Sequence, residues 1–413
     1  MKYAEALARV ISSVQERELV DFTRAIAKIP SVHGDEKAIA EACAQRLDEL
    51  GIESQMLDAA ENRPNVLGWI RGEGGGKSLT LNGHIDTVLE VLGWTVNQYG
   101  GELIDGKIYG HGVSNMKASD AAMIYAASAI KRAGISLKGD LLVALVVGEC
   151  QGGIGTLDLM KRGIKTDRFV CCEPTYLNIL TVHSATQYFR VKIYGRTAHF
   201  GTHDHGVNAI MKMFNLTERL GPMHVEISQG DWVRYDCKPL YSGLPRYHLS
   251  YIRGGLTEQL REDGGWSNTP DFCRAVFNVR VPPTKEIEST RQDIENVLSG
   301  MHGEQKDFKF QVESIRDMPG FEAPSNSVVA EAVGAAYREI LGGEPSIGGV
   351  QPYMFMGSDS GNMQLAGMRD GVLIGPGNFT SSVPDEHVEV DKLIAAAKIY
   401  AASVLKLCGI AER

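Results

Sequence analysis

The alternation of short apolar runs with helical patterns is the feature that most constrains the fold of this chain. The segments "DLLVALVVG" and "RFVCC" are almost wholly apolar, as buried parallel strands are, and the long helical pattern "ASDAAMIYAASAIKRAG" precedes them and ends at Gly134. The C-terminal part returns to this style, with "GVLIGPGN" between two helical patterns. Such alternation predicts an α/β fold in which helices cover a sheet.

The middle of the chain has a different pattern. Strand-like segments there are "TQYFRVKIYGRTA", "YHLSYIRGG" and "FCRAVFNVRVPP", and helical ones are "HGVNAIMKMFNLTERLG" and "TRQDIENVLSGM". This order fits two helices on an antiparallel sheet, and 413 residues are enough for two domains. We therefore predict a sheet domain over residues 1–182 and 319–413, interrupted by an inserted α+β lid domain over residues 183–318.

Two local expectations concern the N-terminal third. The glycine-rich segment "RGEGGGK" lies between the apolar runs "NVLGWI" and "SLTLNG", which suggests a β-hairpin. The first 22 residues have apolar positions at helical spacing, among them Val10, Val14, Leu19 and Phe22, which predicts one amphipathic helix.

Charge and cysteine content exclude several classes of function. The formal net charge is −9 and no basic run occurs, which argues against nucleic acid and anionic membranes as partners. The N-terminus lacks the apolar core of a signal peptide, and no stretch approaches the ~20 apolar residues of a membrane span. The seven cysteines are scattered without a CxxC pair, so we expect a reduced, cytoplasmic location.

Polar residues follow three of the apolar runs at the point where each run ends. His84 and Asp86 come after "LTLNG", Glu149 follows "LLVALVV", and Glu173 follows "RFVCC". In open α/β sheets, ligands bind outside the carboxyl ends of the strands, so these side chains are expected to converge. A His with an Asp two residues on can ligate a metal while the Asp orients the imidazole.

The order of motifs resembles the M20 metallopeptidase/deacylase family, which includes acetylornithine deacetylase, succinyl-diaminopimelate desuccinylase, aminoacylase and glutamate carboxypeptidase. The similar segments are "HID", "YGHGVSNMKAS", "GECQGGIGT", "CCEPT", "GRTAHFGTHDHGVNAI", "SNTPDFCRAVFNVRVPP" and "GPGNFTSSVPDEHV". The resemblance covers nearly the whole chain. It implies a zinc-exopeptidase-like catalytic sheet domain with two zinc ions and an inserted dimerisation (lid) domain.

For the catalytic domain, the resemblance implies roles for four residues. His84 and Glu173 match ligands of one metal ion, and Asp86 matches the residue behind that histidine. Glu149 matches the general base that activates the attacking water.

For the lid domain, the resemblance implies three further site residues. His199 matches the lid histidine that reaches into the partner subunit's site and stabilises the oxyanion. Asn268 and Arg280 match the substrate-binding Asn and Arg of the lid motif, although an insertion, "LTEQLREDGGWS", precedes Asn268. The resemblance also implies a homodimer formed through the lid domain.

Three positions depart from the family pattern, and His111 replaces an arginine beside them. The bridging aspartate is Asn115, the second glutamate of the E-E pair is Cys150, and the histidine of A-H-x-P-D-E is Ser382. An amide has one good acceptor oxygen and cannot bridge two cations as a carboxylate does. The Cys150–Ser382 site is therefore expected to be empty, and His84, Asn115 and Glu173 leave one zinc or other divalent ion, or none, as open alternatives. Cys150 is either a nucleophile or a small buried residue.

The sequence thus predicts a hydrolase of a C–N amide bond in a small acylated amino acid or related acidic amide. Glu149 would act as general base, with at most one metal ion. Two alternatives are a metal-independent M20-like enzyme with an unusual substrate and a non-hydrolytic pseudo-enzyme that binds a small ligand.

Overall fold

A computed structural model of the protein describes residues 2–221, 239–241, 244–260, 265–305 and 307–411. The chain divides into two compact units. The first consists of residues 1–182, 321–354 and 358–413, and the second of residues 183–320 and 355–357. The short segment 355–357, which the sequence assigns to the sheet domain, therefore belongs to the second unit.

The first unit contains most of the helices and strands. Its helices are α1 (Tyr3–Ser12), α2 (Glu16–Ala27), α3 (Lys37–Glu49), α4 (Ala118–Arg132), α5 (Ile154–Lys161), α8 (Val328–Leu341), α9 (Ser360–Leu365) and α10 (Val390–Cys408). Its strands are β1 (Glu53–Ala60), β2 (Arg63–Ile70), β3 (Leu79–His84), β4 (Glu102–Ile104), β5 (Lys107–Tyr109), β6 (Leu141–Val146), β7 (Arg168–Cys171), β8 (Ile179–Leu180), β14 (Phe321–Glu322), β15 (Ile347–Gly348), β16 (Asp370–Leu373) and β17 (His387–Glu389), and β9 (Val182–His183) lies at the junction of the units.

The main sheet of this unit has its parallel strands at the centre. Its order in the described part of the chain is β1-β2-β6-β3-β7-β16-β8-β15, and β6, β3, β7 and β16 run parallel. Every residue of β3 and β6 is buried, and α4 and α10 contribute long runs of buried residues to the same core. Because β6, β3 and β7 are parallel neighbours, their carboxyl ends lie along one edge of the sheet.

The expected hairpin between "NVLGWI" and "SLTLNG" is wrong. The strand β6 lies between β2 and β3, and it pairs antiparallel with β2 and parallel with β3. The fully apolar β6 needs a neighbour on each side, which a β2–β3 hairpin would deny it. The glycine-rich segment instead packs against another loop: a Cβ on Gly76 would lie 2.4 Å from the Gly139 backbone nitrogen.

The single N-terminal helix is also wrong, because the structure has α1 and α2 separated by residues 13–15. The Ser13 hydroxyl donates a hydrogen bond to the Arg9 carbonyl at 2.8 Å. Such a bond competes with continuation of the helix, and the break lets both helices bury apolar residues such as Val10 and Leu19.

The second unit is an antiparallel sheet covered by two helices. Its strands are β10 (Ala185–Tyr194), β11 (Arg246–Gly255), β12 (Phe272–Val281) and β13 (Lys309–Met318), in the order β11-β12-β10-β13, and its helices are α6 (Ala209–Leu220) and α7 (Ile287–Gln305). The Asn208 side chain caps α6 by accepting the N–H groups of Ile210 and Met211. Phe189 and Phe277 of the sheet share one core with Met213 and Leu298 of the helices.

Across the residues that the structure describes, no helix combines the length and the apolar character that a membrane span requires.

Candidate active site

His84 and Asp86 connect the end of β3 to the turn that follows β6. The His84 Nδ1 lies 2.8 Å from the Asp86 carbonyl oxygen and 3.5 Å from an Asp86 carboxylate oxygen. The Asp86 carboxylate accepts the backbone N–H groups of Glu149 and Cys150, both at 3.0 Å. Burial opposes ionisation of Asp86, but its bond to His84 and these N–H donors outweigh burial and lower its pKa. Asp86 is therefore an anion that fixes both the imidazole and the Glu149 turn.

The other ring nitrogen of His84 faces two oxygen atoms. The His84 Nε2 lies 3.0 Å from the Asn115 Oδ1 and 4.0 Å from a Glu173 carboxylate oxygen. If Nδ1 carries the proton and donates it to Asp86, Nε2 is an acceptor, and three acceptors then converge on one point. A divalent cation is what such a set of one imidazole, one amide and one carboxylate would hold, so the residues fit a single metal ion.

Protonation in this cluster is displaced in the direction that a missing positive charge would produce. Burial lowers the pKa of His84, but the bond to Asp86 and the charge of Glu173 outweigh it, and the net pKa is raised. Burial raises the pKa of Glu173 well above its ordinary value; the charge of His84 opposes this rise, and that of Glu149 adds to it. Both groups hold protons that a bound cation would displace.

The set that would hold a second metal ion does not fit one. Burial raises the pKa of the Cys150 thiol well above its ordinary value, and the charges of Asp86 and Glu149 add to this. A protonated thiol is a poor ligand and a poor nucleophile. Ser382 offers only a hydroxyl, on a loop whose backbone N–H donates to Glu386 at 3.3 Å. Asn115, the shared position, has no second acceptor oxygen to offer.

A different grouping of possible ligands also occurs among the described residues. Atoms of His84, Asp86 and Cys150 lie within 4.8 Å of one another. We favour the set of His84, Asn115 and Glu173, because both carboxylate oxygens of Asp86 already accept backbone N–H groups and the Cys150 thiol holds its proton.

Glu149 lies in a short 3-10 turn, Glu149–Gln151, that begins two residues after β6. Left-handed glycines flank the turn, with φ of 68° at Gly148, 100° at Gly152 and 79° at Gly153, which non-glycine residues rarely adopt. The Glu149 side chain is buried, and its charge contributes to the pKa values of both His84 and Glu173. The predicted base and the predicted ligands thus belong to one cluster.

Two buried acids of this unit were not anticipated from the sequence. Asp359 precedes α9, and burial, with the charge of Glu149, raises its pKa to about 7. Glu386 accepts the backbone N–H groups of Gly112, Ser114 and Asn115 at 2.9–3.0 Å and so holds the loop that carries Asn115. No local pattern distinguishes either acid from a surface residue, since the signal is burial.

His111 has a structural environment. Its Nε2 lies 3.0 Å from the Val88 carbonyl, and its ring packs edge-on against Trp94 and Tyr99. Burial lowers its pKa, which favours a neutral imidazole.

In the second unit, two of the three predicted residues lie together. His199 and Asn268 form a β-bridge, and the backbone of Thr269 donates to Ala198 at 2.8 Å. Arg280 lies eight residues after the start of β12, about 26 Å along the strand at ~3.3 Å per residue, and donates to Thr186. The structure therefore does not bring Arg280 beside His199. Residues 261–264 of the insertion before Asn268 lie outside the described residues.

Comparisons with known proteins agree with this architecture. The profile of Peptidase family M20/M25/M40 matches residues 80–406. The chain is 25% identical over 391 residues to N-formyl-4-amino-5-aminomethyl-2-methylpyrimidine deformylase of Bacillus subtilis, covering 88% of this chain and 87% of that protein. It is 22% identical over 412 residues to a probable succinyl-diaminopimelate desuccinylase of Staphylococcus aureus, covering 94% and 97%.

The fold is that of a solved di-peptidase. The structure of Dug1p from Saccharomyces cerevisiae superposes with a TM-score of 0.80 at 15% identity and covers 99% of both chains. This similarity confirms the predicted fold class. With the family profile spanning most of the sequence, the chain belongs to Peptidase family M20/M25/M40 and is an amidohydrolase of that family.

Proposed function

We propose that the protein hydrolyses the C–N amide bond of a small acylated amino acid or related acidic amide, with Glu149 as general base. The observation that carries the proposal is the buried Glu149 turn, bonded through Asp86 to the His84–Asn115–Glu173 cluster. A carboxylate fixed beside a possible cation site is suited to move protons between water and an amide nitrogen.

The proposed reaction balances with one base. Glu149 takes a proton from water as its oxygen adds to the amide carbon, and returns it to the nitrogen as the C–N bond breaks, which gives a carboxylic acid and an amine. His199 would donate a hydrogen bond to the oxyanion of the tetrahedral intermediate. Asn268 would bind substrate beside His199, as their β-bridge allows, and Arg280 would bind an anionic group. A divalent cation held by His84, Asn115 and Glu173 would polarise the substrate carbonyl.

Replacing Glu149 tests the central role. E149Q should lower kcat by about 10²- to 10⁴-fold in hydrolysis of N-acyl amino acids, because the amide cannot accept the proton. E90Q is a matched control, since Glu90 is exposed on the loop after β3, and its kcat should equal that of the wild type. An E149Q enzyme with wild-type kcat and an unchanged melting temperature would refute the base assignment.

We further propose that the site holds at most one metal ion. Zinc-loaded wild-type protein should contain no more than one equivalent by mass spectrometry of the metal. H84A and E173Q should lose that equivalent, whereas C150S should retain it, because the Cys150 thiol holds its proton. Two equivalents in the wild type, or loss of metal in C150S, would contradict this proposal.

A metal-independent hydrolase is the second candidate. The raised pKa values of Glu173 and Asp359 favour it, because proton-holding carboxyl groups near Glu149 could act as acids without a cation. Full turnover after chelation and removal of all metal would favour this candidate, and loss of turnover that zinc restores would exclude it.

The names of the relatives guide the choice of substrates. One relative is a deformylase and another a probable desuccinylase, so both names describe removal of an acyl group from nitrogen. We therefore propose N-formyl, N-acetyl and N-succinyl amino acids as the first panel.

We also propose a homodimer formed through the second unit. In its described part, β11 is an edge strand, and Tyr251 and Ile252 on it are exposed. On the adjoining helix α6, Met211 and Phe214 are about half exposed. An open strand edge with apolar neighbours is a typical surface for self-association.

A further inference from the structure

Two arginines lie directly opposite each other on the sheet of the second unit. β11 and β12 are antiparallel, and their register pairs Arg246 with Arg280. Side chains at directly opposed positions lie on the same face, with Cβ atoms about 5 Å apart, and like charges there are unfavourable. A ligand of opposite charge between them would reverse that cost.

A short segment of the same unit fixes both guanidinium groups. The Arg246 guanidinium stacks on the Phe355 ring, 3.7 Å from its centroid. Arg280 donates to the Thr186 hydroxyl, and a Cβ on Gly357 would lie 3.5 Å from its Nη1. Stacking uses the flat face of a guanidinium and leaves its N–H donors in the plane of the group. A ring and a hydroxyl are both neutral, so these contacts position the two groups without cancelling their charges.

The charge of Arg280 acts on two nearby imidazoles. Burial lowers the pKa of His183 to about 4, and the charge of Arg280 adds to this effect. Burial and the same charge lower the pKa of His248, which lies opposite Asn278 in the β11–β12 register. Both imidazoles are thus favoured in the neutral form, and the positive charge of this face comes from the arginines.

A buried polar atom on this face has no partner in the protein. Asn278 precedes Arg280 by two residues on β12, so their side chains share a face of the sheet. Its side chain is 6% exposed, and its Oδ1 accepts no hydrogen bond from any described residue. A buried acceptor without a donor costs free energy unless a ligand supplies the donor.

We infer that Arg246 is a specificity-determining residue that acts with Arg280 to bind two carboxylates of one small molecule, whose N–H group donates to Asn278. An N-acyl derivative of a dicarboxylic amino acid has these groups. The inference rests on the proposed function only in taking this molecule to be the substrate; the anion site itself requires no turnover.

Calorimetric titration of the full chain tests the site with simple anions. Glutarate, a dicarboxylate, should bind more tightly than butyrate, a monocarboxylate of similar size. R246M should weaken glutarate binding about 10- to 100-fold, as loss of a charged hydrogen-bonding partner does, and butyrate binding by no more than about threefold. R246K, which keeps the charge but not the planar fork, should bind glutarate with intermediate affinity.

The matched control is R274M. Arg274 lies on the same strand and faces Arg253 across β11, so R274M removes the same charge about 20 Å away, six residues along the strand at ~3.3 Å each. Equal losses in R246M and R274M would overturn the inference, as would glutarate binding no tighter than butyrate. Inorganic phosphate that binds more tightly than glutarate and is lost in R246M would overturn the dicarboxylate assignment. Glutarate binding by a chain that hydrolyses no amide would contradict the proposed function and leave this inference standing.

Discussion

At the scale of single residues, Asn115 and Asp359 change what the cluster around Glu149 can do. Asn115 supplies one acceptor oxygen, 3.0 Å from His84, where a carboxylate would have served two cations. Asp359 adds an acid that burial and the charge of Glu149 keep protonated up to about pH 7. The cluster thus has less metal-binding capacity and more proton-holding capacity than the sequence motif implies.

Replacing Asp359 should reveal its proton through stability. Its pKa is raised in the folded state, so its stabilising contribution is complete below the ordinary value of 3.8 and is lost as the pH rises through about 7. D359N cannot ionise, and metal-free D359N should therefore gain on the wild type between pH 5 and pH 8, by at most about 4 kcal/mol.

Melting temperatures of both proteins at the two pH values measure this effect. D35N, which changes an exposed aspartate of the same unit, should shift the melting temperature equally at both pH values. An equal difference between D359N and the wild type at pH 5 and pH 8 would show that Asp359 does not titrate in this range.

At the scale of elements, the glycine turn between β6 and α5 decides where Glu149 lies. Asn362 of α9 donates to the Gly152 carbonyl at 3.2 Å and holds the turn from outside. A Cβ on Gly153 would lie 2.3 Å from the Asn362 Nδ2 and 2.4 Å from the Asp359 Oδ1. Gly153 is thus required both for its left-handed backbone and for the closeness of α9.

G153A and G163A form a matched pair that separates these two requirements. Both glycines are left-handed, with φ of 79° and 76°, but nothing lies within 4 Å of a Cβ on Gly163. Both variants should lose about 1 kcal/mol to backbone strain, and G153A should lose about 1–3 kcal/mol more to overpacking, with reduced kcat. Denaturation and activity assays measure both effects. Equal destabilisation would mean that α9 moves aside without cost.

At the scale of the whole molecule, the two units bear different parts of the predicted chemistry. The first unit contains the Glu149 cluster, and the second contains the His199–Asn268 bridge and the arginine pair of β11 and β12. The second unit also has exposed apolar residues beside its β11 edge. Self-association and substrate recognition are therefore both expected to depend on the second unit.

Sedimentation equilibrium tests the proposed dimer. The wild type should have twice the mass of the 45.0 kDa chain, and M211D/I252D should have the mass of one chain, because charges on an apolar interface oppose association. M56D, at an exposed methionine of the first unit, should remain dimeric. A wild type that is monomeric at micromolar concentration would contradict the dimer.

The sequence by itself determined the α/β class and the convergence of His84, Glu149 and Glu173. Their strands are fully apolar runs, and parallel neighbours end at one sheet edge. Only the tertiary structure decided that β6 separates β2 from β3, that α1 ends at Ser12, and that Asp359 belongs to the cluster. Periodicity reports which face of an element is apolar, whereas strand order, burial of a lone acid and cross-strand register depend on residues far apart in the chain.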